Sequence, residues 1–172
     1  MKKNNLFFID AETDGLYGTI LTVGIYVMSE QGHELERAYW GLKSENMKVS
    51  NQWVKENVLP ILGEYEECED EKELLEKVWQ CWERHREDAY AVADVQYPVE
   101  CRVFEKCVQK DPENRMWKAP FPILDVSSVL WTKGIDPLKE RTRLLDNVQR
   151  KQHNAFDDVM ISAELIKKLM RG

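Results

Sequence analysis

Two carboxylates, Asp10 and Glu12, stand one residue apart at the end of an apolar run in FFIDAETDGL (7–16), with a Thr-Asp-Gly turn signal directly behind them. On a strand, side chains alternate between faces, so these two project to one side while Ile9 and Ala11 take the other. Like charges in so small a space repel unless a cation lies between them or one holds a proton. The pair therefore points to a divalent metal or a proton-sharing dyad. The plain alternative is two solvated turn formers ahead of Gly15.

Two further places in the chain carry matching chemistry. Asp94 ends the short apolar run AYAVA (89–93), a strand expected to lie parallel to the first, so its carboxylate can emerge at the same sheet end. In QHNAFDDVMISAEL (152–165), His153 stands five residues before Asp158 at the entrance of the last helix. Asp158 shares a stripe with Ser162, Leu165 and Leu169, which must face the sheet, whereas Asp157 shares a face with Glu164 and Lys168. Asp157 also falls third after a capping Asn154, where an acid can bond back to the cap. An acid turned toward a sheet is costly unless it is paired or binds a metal, and its expected partners are the other acids. Four converging carboxylates with no Lys or Arg among them call for divalent cations, and oxygen-only ligands favour magnesium or manganese over zinc.

The elements that must position these groups follow from periodicity. Residues 5–11, 19–28 and 33–42 read as three strands, the first two joined by a short turn at 14–18, giving an antiparallel meander. Ser50 is placed to cap a short helix over 51–58 that stops near Pro60. Asp70 is placed to cap a longer one whose Leu74, Leu75, Val78, Trp79 and Trp82 form one buried stripe. After the strand at 89–93, Pro98 suits the first turn of a helix turning Val99, Val103, Phe104 and Cys107 inward. A strand is expected at 122–126, a short helix at Asp136-Pro137, and an amphipathic helix over 154–170 with Phe156, Val159, Met160, Ala163, Ile166 and Met170 on its apolar face. The stretch 111–122 reads as a loop able to lie over a site. This pattern predicts an α/β protein with one mixed five-stranded sheet, antiparallel in its first three strands and then parallel, with helices on both faces.

Composition sets the outer limits. The 172 residues suit one domain over 1–172, burying about two thirds of its unfolded surface. The four cysteines show no CxxC pair and no clustering with histidine, so reduced, packing cysteines and a cytoplasmic setting are expected. The apolar stretch near the amino terminus is too short for a signal peptide, and no segment approaches a membrane span. A net charge of -7 argues against a broad basic face, but the charge is uneven. Residues 64–76 hold eight acids and one lysine, while residues 133–151 hold six Lys/Arg and three acids and can meet phosphates or form an ordinary solvated segment.

Taken together, these residues resemble the DEDDh group of RNase H-like 3'-5' exonucleases. The opening motif F-x-D-x-E-T-x-G-L is present as Phe8, Asp10, Glu12, Thr13, Gly15 and Leu16, and the closing H-x4-D as His153 and Asp158. The central acid is assigned to Asp94 by its place at a strand end, with Glu100 as the alternative, because AVADVQYPVE lacks the Asn or His and the Phe that usually flank it. The resemblance implies a 3'-5' exonuclease that releases nucleoside monophosphates from single-stranded DNA or RNA. It further implies two divalent ions, Mg2+ or Mn2+, held by Asp10, Glu12, Asp94 and Asp158, with His153 as general base. Thr13 and the backbone near Gly15 would hold the terminal 3' hydroxyl, Leu16 would wedge against the terminal base, and a dimer is the expected assembly.

Two other readings share some of these features. D-x-[DE]-T-D-G-L superficially matches the nucleophile loop of haloacid dehalogenase-type phosphatases, although those need an aspartate where Glu12 stands and a helix or cap where a hairpin is expected. A non-catalytic RNase H-like module would bind nucleotide or protein, yet has no need of a base such as His153. His33 and His85 carry only structural expectations.

Overall fold

The structure is a computed structural model that describes residues 3–146 and 153–171. Strands β1 (Asn5–Thr13), β2 (Ile20–Met28) and β3 (Glu34–Leu42) form the expected meander. Helix α1 (Gln52–Asn57), strand β4 (Glu66–Cys68) and helix α2 (Glu71–His85) follow, then β5 (Ala89–Ala93) and α3 (Val99–Lys110). The chain continues through α4 (Pro112–Arg115), β6 (Ile123–Asp125), α5 (Val126–Thr132) and α6 (Ala155–Arg171).

The sheet has six strands in the order β4-β3-β2-β1-β5-β6, one more than the sequence predicts. The extra strand, β4, lies inside the acidic run and pairs parallel with Trp40–Leu42. Three residues are too few to show an alternation, so nothing local marked it. β1 pairs antiparallel with β2 and parallel with β5, and β5 with β6 is again parallel.

Alternation on β1 divides the interior in two. Phe7, Ile9 and Ala11 join the core beneath α2 and α3, while Phe8 joins the core beneath α6. The stripe of α2 is buried as expected, with Trp82 edge-on to Phe7 at 5.3 Å. Each such fully buried large side chain contributes roughly 1.5–3 kcal/mol relative to exposure. Asp70 caps α2 by accepting from the Glu73 N–H, and the cysteines are free.

Several local expectations need correction. Asn51, not Ser50, caps α1; Ser50 is instead held by Asp14, whose carboxylate accepts from the Ser50 N–H, the Ser50 hydroxyl and the Asn51 N–H. That tie fixes the β1–β2 turn to the start of α1. The strand expected at 122–126 ends at Asp125, which caps α5 through the Ser128 N–H, so the chain turns helical where the apolar run suggested continued extension. Asp136 opens a turn instead of a helix, with its carboxylate and carbonyl accepting from Leu138 and Lys139. Segment 111–122 packs on α2 through Arg115 with Glu76 and through the Trp82 indole to the Lys118 carbonyl. It therefore does not cover the acidic end of β1. On α6, Met170 is 59% exposed instead of buried.

Among the described residues, no helix is long and apolar enough to cross a membrane.

Candidate metal and phosphodiester site

Asp10 and Glu12 lie near the C-terminal end of β1, on the face shared with Phe8, and Asp158 reaches them from the first turns of α6. One oxygen from each of the three lies within 4.8 Å of the other two. Gly24 makes the approach of α6 possible. It pairs with Asp10 across β1 and β2, and a Cβ there would sit 2.4 Å from the Ala155 carbonyl oxygen. Only a residue without a side chain admits the helix so close to the sheet. Asn154 then fixes the helix start: its side-chain oxygen accepts from the Phe156 and Asp157 N–H groups, and its amide donates to the Ile61 and Leu62 carbonyls.

His153 sits before this cap in a left-handed conformation, φ 65°, unusual for a residue with a side chain. Its N–H donates to Asp158 Oδ2 at 3.0 Å, and its ring stands edge-on to Trp53, 5.1 Å between centroids. A backbone of this kind costs on the order of 1 kcal/mol and persists where the surroundings enforce it, as they do here.

The electrostatics are those of acids packed without a counter-ion. Burial raises Asp10 well above the usual carboxylate range, and the charges of Glu100, Asp158, Glu12 and Asp94 push the same way. Burial lifts Glu12 to about 7. Burial and the charge of Glu12 lift Asp158 to about 7, against the opposing bond from His153. Among the described residues, no Lys or Arg forms an ion pair with any of the three. Their donor set, all oxygen and mutually repelling, fits a hard divalent cation.

Asp94 and Glu100 behave differently from the sequence expectation. Asp94 ends β5 near the triad but is ion-paired: Arg141 Nε donates to its Oδ1 at 2.7 Å. Four acids free of any arginine is thus replaced by three, plus a fourth engaged with Arg141, which the turn after α5 brings in from 47 residues downstream. Glu100 is 5% exposed, and its Oε1 accepts from the Ala11 N–H at 3.3 Å. The β1–β5 pairing stops at Phe8 with Val92, so Ala11 has no partner strand on that side and the carboxyl takes its place. Burial raises Glu100 to about 8, with Asp94 and Glu12 adding to it.

These groups floor a cleft of about 520 Å³. Thr13, Gly15 and Leu16 line it, as do Asn51, Trp53 and Tyr97, to which no role was assigned from sequence. The Thr13 hydroxyl donates to the Gly15 carbonyl at 2.7 Å, and Gly15 takes φ 73°, as its turn requires. Arg102 braces the turn by donating to the carbonyls of Leu16, Tyr17 and Gly18. Arg102 had no local signal, being one arginine within a mixed-charge stretch, and Arg141 was marked only by the basic excess of 133–151. Of the basic segment 133–151, Arg141 enters the site, while 147–151 lie outside the described residues.

No family model and no curated protein matches this sequence. Solved structures do. A full-length 3'-exonuclease is similar over 99% of this chain and 83% of its own, with a TM-score of 0.67 at 8% identity. The zinc-bound exonuclease I of E. coli in complex with single-stranded DNA gives a TM-score of 0.73 at 13% identity, over 99% of this chain and 41% of that one. Exonuclease I of Methylocaldum szegediense gives 0.66 at 15% identity, over 98% and 40%. The chain spans about four tenths of these exonuclease I chains. At such identities the likeness is one of fold: this chain has an RNase H-like α/β fold, with its antiparallel strands first and its parallel strands after.

Proposed function

We propose that the protein is a divalent-metal-dependent 3'-5' exonuclease of the DEDDh type, acting on single-stranded DNA or RNA and releasing nucleoside monophosphates. The observation that carries this reading is the triad of Asp10, Glu12 and Asp158, half-buried together without an ion-paired Lys or Arg among the described residues, at the floor of an open cleft. The fold it shares with solved 3'-exonucleases supports the same reading.

Asp10, Glu12 and Asp158 would hold the first Mg2+ or Mn2+, and Asp10 with Asp94 a second. Bound cations supply the charge that stabilises the attacking and leaving oxygens of an in-line displacement. His153 stands exposed at the cleft, and an imidazole, the side chain most often used as a general base, suits removal of a proton from the attacking water. Thr13 and the Gly15 backbone would receive the terminal sugar, and Leu16, 61% exposed, the terminal base. Exposed Tyr17, Trp53 and Tyr97 offer further stacking surface to unpaired bases.

The antiparallel β1–β2 hairpin speaks against a dehalogenase-type phosphatase, whose first strand would lead into a helix or cap. A binding-only module leaves the strained placement of His153 unexplained.

The test is hydrolysis of a single strand labelled at either end, with Mg2+, Mn2+ or chelator. A 3' label should appear first as mononucleotide, only with metal. His153→Ala should lower turnover by about two to four orders of magnitude while cation binding persists. Wild-type turnover in that variant would remove His153 from the chemistry, and an intact strand under all conditions would overturn the nuclease reading.

A further inference from the structure

We propose that Arg141 is a built-in counter-cation for Asp94, and that it transfers to the substrate phosphate when the site fills, releasing Asp94 for a second divalent ion. This inference rests on the phosphodiesterase reading of the cleft.

Five acids gather at this sheet end, and Asp94 is the one ion-paired with a Lys or Arg among the described residues. The pair is largely shielded, with side-chain exposures of 12% for Arg141 and 29% for Asp94. The guanidinium is aimed as well as paired: its Nη1 donates to the Pro137 and Lys139 carbonyls at 2.9 and 2.6 Å. Arginine has five N–H donors. Those contacts engage Nε and Nη1, and Nη2 has no hydrogen bond to the described residues. Arg141 also lines a cavity of about 240 Å³ together with Asp10, Asp94, His153 and Asp158, so the guanidinium shares a space with acids of the triad.

The charges then compete. While Arg141 holds Asp94, one carboxylate oxygen is engaged and a positive charge stands beside the group that would hold a second cation, which opposes its entry. A phosphate resolves the competition, because its oxygens accept the forked guanidinium as well as a carboxylate does. Arg141 can thus exchange one anion for another within the same cavity, its carrier being an exposed turn at 136–139 and a tight turn at Arg141–Leu144. Cation uptake becomes ordered: the triad fills first, and Asp94 contributes only once a phosphate has taken Arg141. A site built this way withholds its full metal complement until substrate arrives.

Calorimetric titration with Mn2+ alone, and again with thymidine 5'-monophosphate present, tests this on the full chain. Wild type should bind one ion, with a second event roughly tenfold or more weaker that strengthens when the nucleotide is added. Arg141→Met should strengthen the second event about tenfold without nucleotide and abolish its dependence on the nucleotide. Arg141→Lys should keep the wild-type order, and Asp94→Asn should lose the second event and keep the first. Arg141→Gln carries the same expectation as Arg141→Met should the latter not fold. A second-ion affinity unchanged or weakened in both neutral variants would overturn the role of Arg141 while leaving the nuclease reading intact. Absence of any Mn2+ binding by wild type would instead overturn the functional reading and this inference with it.

Discussion

Two acidic sites, one of them a lone glutamate, sit at opposite ends of this sheet and are handled in opposite ways. On β3, Glu36 faces the C-terminal end of α2, where Arg84 donates to it and His85 Nε2 lies 2.7 Å from its Oε2. Burial alone would raise its pKa, but the bonds from Arg84 and His85 outweigh burial and pull it down to about 2. At the other end Asp10, Glu12 and Asp158 are raised, two of them to about 7, because burial, reinforced at Asp10 and Asp158 by neighbouring acids, outweighs the one opposing bond, from the His153 N–H to Asp158. The same side-chain chemistry is completed by cations from within the chain at one end and, among the described residues, has no ion-paired Lys or Arg at the other. An acid that only had to be stable would look like Glu36.

Several substitutions and conditions break or sharpen that contrast. Asp10→Asn removes a charge from the uncompensated cluster while keeping its shape, and should abolish hydrolysis. It should also abolish the rise in melting temperature on adding metal, which in wild type is about 2.7 kcal/mol at a hundredfold excess over Kd, roughly 5–10 °C. A metal-induced shift that survives in Asp10→Asn would detach Asp10 from the cation site.

The two sites should also respond to pH with opposite sign. Glu12 and Asp158 titrate near 7 and Glu100 near 8, above ordinary values, so the folded chain holds protons that the unfolded chain has released. Their favourable contribution is complete below the usual carboxylate range and is lost as the pH rises through 7 and 8. Glu36 contributes above that range, and its share disappears as the pH falls through about 2. Metal-free protein should therefore melt lower at pH 8.5 than at pH 6, with bound Mg2+ or Mn2+ closing the gap; a gap indifferent to metal would count against the cluster.

Gly24→Ala should cost about 1–3 kcal/mol by forcing α6 off the sheet. It should also weaken cation binding, because Asp158 moves away with the helix. Glu36→Ala is the mildest, costing about 1–2 kcal/mol at neutral pH for a partly exposed, hydrogen-bonded ion pair. It should leave the metal response untouched; a lost metal response there would show that the two sites are not independent.

Much of the site was legible in short stretches because its logic is local there. Asp10 and Glu12 share a face by strand alternation, and Asp158 turns inward by its place on the stripe of Ser162 and Leu165. The capping role of Asn154 is written two and three residues ahead of the N–H groups it accepts from. The capping of α2 by Asp70 was equally plain. Where a neighbour competed for the same job, as Asn51 did with Ser50, the local pattern alone could not choose.

What the sequence by itself determined is the kind of chemistry: which acids share a face, which helix carries the last one, and that their charges need an answer. What only the tertiary structure decided is which of them are answered from inside. Arg141 finds Asp94 from 47 residues away, and Glu100 finds the Ala11 amide from 89 away. No periodicity spans such separations. The partners meet because β5 stops short of β1 and because turns after α5 return the chain to the cleft, outcomes of packing instead of pattern.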